Sequence, residues 1–127
     1  MMNLVWIGLG GGLGAVLRYL LGGLVQQWTN SASFPYGTLA VNVAGCLLIG
    51  LLGQLGEARG LFTPEGRLLV FTGLLGGFTT FSSFGFETLE LTRAGLSGPA
   101  LGNVAANVLL GLGAVWAGRA LGLWLWR

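Results

Sequence analysis

The chain has 127 residues, of which 54% are hydrophobic and only 8% charged, with a formal net charge of +2. A water-soluble domain of this size carries roughly a quarter charged residues, so a water-facing surface is excluded. Without His, with one cysteine (Cys46) and with scattered arginines, the chain lacks a disulfide framework, a cysteine- or histidine-based metal site and a nucleic-acid footprint.

Four segments are long and apolar enough to cross a bilayer, which takes about 20 residues per helix. The first, about residues 3–25, is interrupted only by Arg18. It has no basic leader and runs too long for a signal peptide, so it reads as a retained helix. The polar connector QQWTNSASFPYG follows, with Pro35 and Gly37 marking a turn. The second span, about 36–56, has no charge until Glu57 follows it. In the next connector, Thr63-Pro64-Glu65 reads as an N-cap followed by proline at the first helical position. The third span covers about 67–91 and the fourth about 98–125, opened by Ser97 or Gly98 with Pro99. The expectation is an all-α membrane protein with a single four-helix domain over residues 1–127. Continuously apolar segments argue against a β-barrel.

The arginines give a weak topological bias. Arg59, Arg67 and Arg127, with Arg119 near them, fall on one side, against Arg93 and Arg18 on the other. A weak positive-inside signal permits insertion in both orientations. Four short helices are few to enclose a polar path. Glycine-rich surfaces such as Gly8 to Gly14 invite a partner helix. The economical assembly is a homodimer, antiparallel if insertion is dual.

Polar residues inside the spans are the candidates for function. Asn42 sits mid-span, with Thr38 one turn earlier on its face. An amide there costs several kcal/mol unless partnered, so it serves either a helix–helix hydrogen bond or a polar pathway. Asn103 and Asn107 share one face of the fourth helix, with the same two readings. Residues 76–84 read GGFTTFSSF, a double glycine followed by rings and hydroxyls: Phe78, Thr79, Thr80, Phe81, Ser82, Ser83 and Phe84. Gly76-Gly77 weakens a helix by about 1 kcal/mol per glycine, which predicts a break near residues 76–80. Freed carbonyls at such a break hold cations in transporters. Ring edges are positive, so rings, hydroxyls and amides together suit a small hydrated anion. Glu87 follows one turn beyond Ser83, as a solvated helix-end carboxylate or part of a polar track. Arg18 reads as a structural group that pairs with a carboxylate or snorkels to the interface.

Three stretches, GGGLGAVLRY at 10–19, GTLAVNVAGCLLIG at 37–50 and GLLGGFTTFSSFGFE at 73–87, resemble the Fluc (CrcB) family of fluoride channels. The likeness covers essentially the whole chain. It implies a passive, fluoride-selective channel in the cell (inner) membrane that exports cytoplasmic fluoride. It implies a dual-topology antiparallel homodimer with two pores. Asn42 would be the pore-facing amide, and Phe81 and Phe84 the edge-on rings. Thr38, Ser82, Ser83 and Glu87 would lie on the polar track, with Asn103 and Asn107 in the corresponding fourth helix. A structural Na⁺ at the dimer centre would be held by the backbone carbonyls of Gly76 and Thr79 from both subunits. The chain departs from many relatives in carrying Asn103 and Asn107 in place of a tyrosine and a serine. Gly111 stands where some carry threonine. Two other classes fit the composition: a proton-coupled exporter of cationic drugs, which needs an embedded acid that the first two helices lack, and a membrane scaffold, which leaves the ring–hydroxyl strip unexplained. No constellation of an enzyme is present.

Overall fold

The computed structural model describes residues 1–126, and among them every regular element is helical. Helix α1 (Met2–Thr29) ends at Asn30, whose left-handed backbone (φ 47°) turns its N–H back to Gln27 O. The connector folds onto Gln26. Its Nε2 donates to Ser31 O (2.6 Å) and Phe34 O (3.1 Å), and its Oε1 accepts from Gly37 N (3.0 Å). Helix α2 (Tyr36–Arg59) therefore starts one residue after Pro35, and Gly37 already lies inside it rather than in a turn. Gly60, at φ 57°, stops α2 with its N–H on Gly56 O.

The third span, Pro64–Arg93, is a composite. Thr63 Oγ1 accepts the Gly66 N–H at 3.1 Å and opens α3 (Pro64–Arg67) with proline in the first turn, as the Thr-Pro-Glu pattern predicts. The helix continues as a π-helical stretch over Leu68–Leu75 and one α turn, α4 (Gly76–Phe78). Thr79 (φ −82°, ψ 156°) and Thr80 (φ −147°, ψ 115°) are extended, and α5 (Phe81–Arg93) begins anew. Helix α6 (Ser97–Leu125) is the fourth span.

Packing follows the small residues. Helix α1 lies against the π-helical stretch and α4, α2 lies against α6, and α1 and α2 adjoin. A Cβ on Gly73 would come within 2.9 Å of Gly10 Cα and Ile7 O, and one on Gly77 within 2.5 Å of Gly11 O. Only glycine lets these backbones touch. After the break, α5 leaves α1 and packs on α6. The third span thus changes partners halfway through the bundle.

The apolar interior is small: Val41, Leu75, Phe78, Phe84, Leu91 and Ala100. Most large apolar side chains point outward, among them Leu9, Leu13, Val16, Leu109, Leu112 and Trp116. Four helices, Met2–Thr29, Tyr36–Arg59, Pro64–Arg93 and Ser97–Leu125, are long and apolar enough to cross a membrane. Outward-facing leucines on all four fit a surrounding of lipid or further helices.

Candidate functional site

The break is organised by one side chain from another helix. Asn42, on α2, accepts the Thr80 N–H at Oδ1 (2.8 Å) and donates Nδ2 to Thr80 O (3.1 Å). The amide thus pairs with the N–H and C=O of one residue, as a neighbouring strand would. Thr80 then caps α5: its Oγ1 accepts the Ser83 N–H (3.1 Å) and donates to Ser83 Oγ (3.0 Å). Extended backbone survives at Thr80 inside a span because both its N–H and its C=O are satisfied by Asn42. The break therefore falls at Thr79-Thr80. Gly76 and Gly77 remain helical, and Gly77 serves the close approach to α1.

The polar seam continues from Asn42. Its Nδ2 also donates to Asn107 Oδ1 (3.0 Å), and Asn107 Nδ2 donates to both Asn103 O and Asn103 Oδ1 (3.0 Å each). Asn103, 0% exposed, donates Nδ2 to Thr88 Oγ1 (3.0 Å), and Thr88 Oγ1 donates to Phe84 O (2.8 Å). Three asparagines and a threonine thus link α2, α6 and α5 into one chain of donors and acceptors.

Two cavities meet at Thr80. The wider, about 750 Å³, is lined among others by Arg18, Thr38, Thr80, Ser83, Glu87 and Glu90. The narrower, about 360 Å³, is lined among others by Asn42, Cys46, Thr80, Phe81, Phe84 and Asn107, with no charged residue on its wall. Thr38 Oγ1 donates to Glu87 Oε1 at 2.6 Å, and Glu87 Oε2 is buried without a donor among the described residues. Phe84 is buried, while Phe81 is 83% exposed and projects from the subunit; their ring centroids are 5.3 Å apart at 56°. The structure thus gathers Thr38, Ser83 and Glu87 around one cavity and Asn42, Phe81, Phe84 and Asn107 around the other. Asn103 and Ser82 line neither cavity; Ser82 is exposed beside Thr80 Oγ1 (3.4 Å). Arg18 faces the wide cavity and forms no ion pair among the described residues, where Arg93–Glu90 and Arg119–Glu57 are the two pairs.

The same rearrangement redirects two amides away from their helical acceptors. In an unbroken helix, Gly76 O would accept from Thr80 N and Thr79 O from Ser83 N. Those amides go instead to Asn42 Oδ1 and Thr80 Oγ1. Gly76 and Thr79 also lie on the wall of the narrower cavity. Uncharged backbone oxygens of this kind are hard donors, suited to a hard cation and not to a transition metal. No group of three or more His, Cys, Asp or Glu stands close enough to hold a metal among the described residues.

Two contributors, Thr80 and Thr88, are invisible to a search for embedded charge or amides. Thr80 is signalled by its place three residues before Ser83, an N-cap spacing. Thr88 has no local signal, since its role depends on Asn103 from another helix.

Fold and seam together define a multi-pass helical membrane protein built around an interrupted span with a polar lining. A family model described as "CrcB-like protein, Camphor Resistance (CrcB)" matches residues 5–119, and the chain belongs to that family. It is 50% identical over 123 residues to a protein of Opitutus terrae named "Fluoride-specific ion channel FluC", covering 94% of this chain and 92% of that one. Proteins of the same name from Chloroflexus aurantiacus (46% over 124 residues, 98% of each chain) and Methylobacillus flagellatus (44% over 121 residues, 95% and 94%) are similar along their lengths.

Proposed function

We propose that the chain is a fluoride-selective passive channel, not an enzyme, and that it releases fluoride from the cytoplasm. The observation that carries the reading is the arrangement at Thr80. A larger cavity with charged side chains on its wall and a smaller, uncharged, ring-lined cavity share Thr80 there, in a chain alike over nearly its full length to proteins named as fluoride-specific channels. A small, strongly hydrated anion must exchange its water shell for donors. The Ser83 hydroxyl, the Asn42 amide once it exchanges an acceptor, and the positive edges of Phe81 and Phe84 offer these without a fixed cation that would trap the ion. Thr38 and Glu87 shape the wider entrance.

The exposure of Phe81 supports a homodimer in which each subunit lends a ring to its partner. The weak arginine asymmetry supports an antiparallel, dual-topology pair, with two pores by symmetry, in the cell (inner) membrane. The carbonyls of Gly76 and Thr79 fit a Na⁺ shared between two such breaks. When bound, the ion would neutralise oxygens whose helical amide donors have turned to Asn42 and Thr80. Replacing Na⁺ by a bulky organic cation should then lower flux or weaken dimers; full activity after exhaustive exchange would remove the ion from the scheme.

The deciding experiment is fluoride efflux from liposomes holding the purified protein, with chloride run in parallel. Rapid fluoride loss with negligible chloride loss is expected. No loss of either ion from folded dimers would overturn the reading.

A further inference from the structure

The amide chain has a direction, and both ends set it. Phe84 O can only accept, so the single Thr88 hydroxyl proton is spent on it (2.8 Å). Thr88 Oγ1 must then accept, which turns Asn103 Nδ2 toward it and Asn103 Oδ1 toward Asn107. Asn107 Nδ2 points at that oxygen and also at Asn103 O, a second acceptor-only group. Asn107 Oδ1 is left facing α2. From the other end, Thr80 N–H and C=O orient Asn42 independently, with Nδ2 toward Asn107. The two ends agree, so the Asn42–Asn107 bond is the closing link.

One result is that both Nδ2 hydrogens of Asn42 are already given away, one to Thr80 O and one to Asn107 Oδ1. Both hydrogens of Asn107 Nδ2 go to Asn103. The narrow cavity therefore has amides on its wall and no spare amide donor. An anion that takes a hydrogen bond from Asn42 must displace an acceptor. The bond to Thr80 belongs to a two-point pair with the N–H and C=O of one buried residue, whereas Asn107 Oδ1 holds Asn42 by a single bond at the cavity wall.

We propose that Asn107 Oδ1 is an internal stand-in for the permeating anion, occupying the Asn42 donor until the anion replaces it, and that Asn103 and Thr88 are positioning residues that keep that oxygen turned toward Asn42. This rests on the channel reading above. The stand-in keeps a donor satisfied between ions, and it weakens anion binding by the net strength of one amide hydrogen bond, a factor of about threefold to tenfold.

The test is the fluoride dependence of efflux in liposomes for the unmutated protein, Asn107→Ala, Thr88→Val and Thr88→Ser. Asn107→Ala should lower the half-saturating fluoride concentration about threefold to tenfold. Thr88→Val, which perturbs the chain from its far end, should move it in the same direction, and Thr88→Ser should restore it. A loss of maximal flux with an unchanged or higher half-saturating concentration would make Asn107 merely structural and overturn the proposal. A second measurement covers a variant that folds poorly. In the side-chain amide NMR signals of Asn42, Thr88→Val should shift the proton bonded to Asn107 and spare the one bonded to Thr80 O. No shift there would also overturn the proposal. Failure of the unmutated protein to pass fluoride would instead refute the channel reading, and the stand-in with it.

Discussion

Replacing Asn42 by alanine separates two roles that one residue holds. If Asn42 acted only toward the anion, Asn42→Ala would alter flux and change stability by no more than about 0.5 kcal/mol. The structure requires more. The substitution deletes the acceptor of Thr80 N–H at 2.8 Å and the donors to Thr80 O at 3.1 Å and Asn107 Oδ1 at 3.0 Å. Asn107 Oδ1 opens on the narrow cavity and can take water. Thr80, 7% exposed, loses the Asn42 partners of both its N–H and its C=O. A buried polar group left unsatisfied costs about 1–3 kcal/mol. Two such groups, one of them relieved in part by water from the adjoining cavities, give about 3 kcal/mol. Reversible unfolding of purified protein by increasing SDS in mixed micelles would measure it. A loss below about 1 kcal/mol would refute the claim that Asn42 holds the break.

The two rings should behave differently. Phe81→Ile should sharply reduce fluoride flux and leave the stability of the subunit within about 0.5 kcal/mol, because the ring is largely outside it. Phe84→Ile should reduce flux and also cost about 1–2 kcal/mol, because that ring is buried; unimpaired flux in both variants would remove the ring-edge mechanism. Gly14→Ala would place a Cβ against Leu74 O and 2.8 Å from Phe78 N. It should force α1 away from the third span at a cost of about 1–3 kcal/mol, read in the same SDS titration.

The spans were legible because length and apolarity alone define them, and the Thr63 cap because its partner lies three residues away. The break was legible only in its neighbourhood. Gly76 and Gly77 drew the expectation to a backbone weakness, whereas the helix stops two residues later, where Asn42 captures the Thr80 N–H from 38 positions away. Their low helix propensity is overridden by tertiary contact, with Gly77 filling a seam against Gly11. The π-helical stretch leaves no periodic signature in LLVFTGLL, where nearly every residue is apolar. At the site, the two-cavity grouping of the polar residues arises from α5 crossing to α6, which no local spacing encodes. Asn103 illustrates the limit: its polarity and its face suggest a lining residue, and only its complete burial reveals a support beneath the wall.

The pairing of Asn42 with the backbone N–H and C=O of Thr80 has a consequence for how such chains vary. Position 42 must offer one donor and one acceptor, side by side, at a fixed reach. Aspartate lacks the donor, serine the reach, and glutamine would overshoot by a methylene. Selection for an intact third span is therefore enough to hold an amide at this position before any ion enters the pore. Innovation in ion chemistry has more room on α6, where Asn103 and Asn107 bond to the other helices through side chains alone.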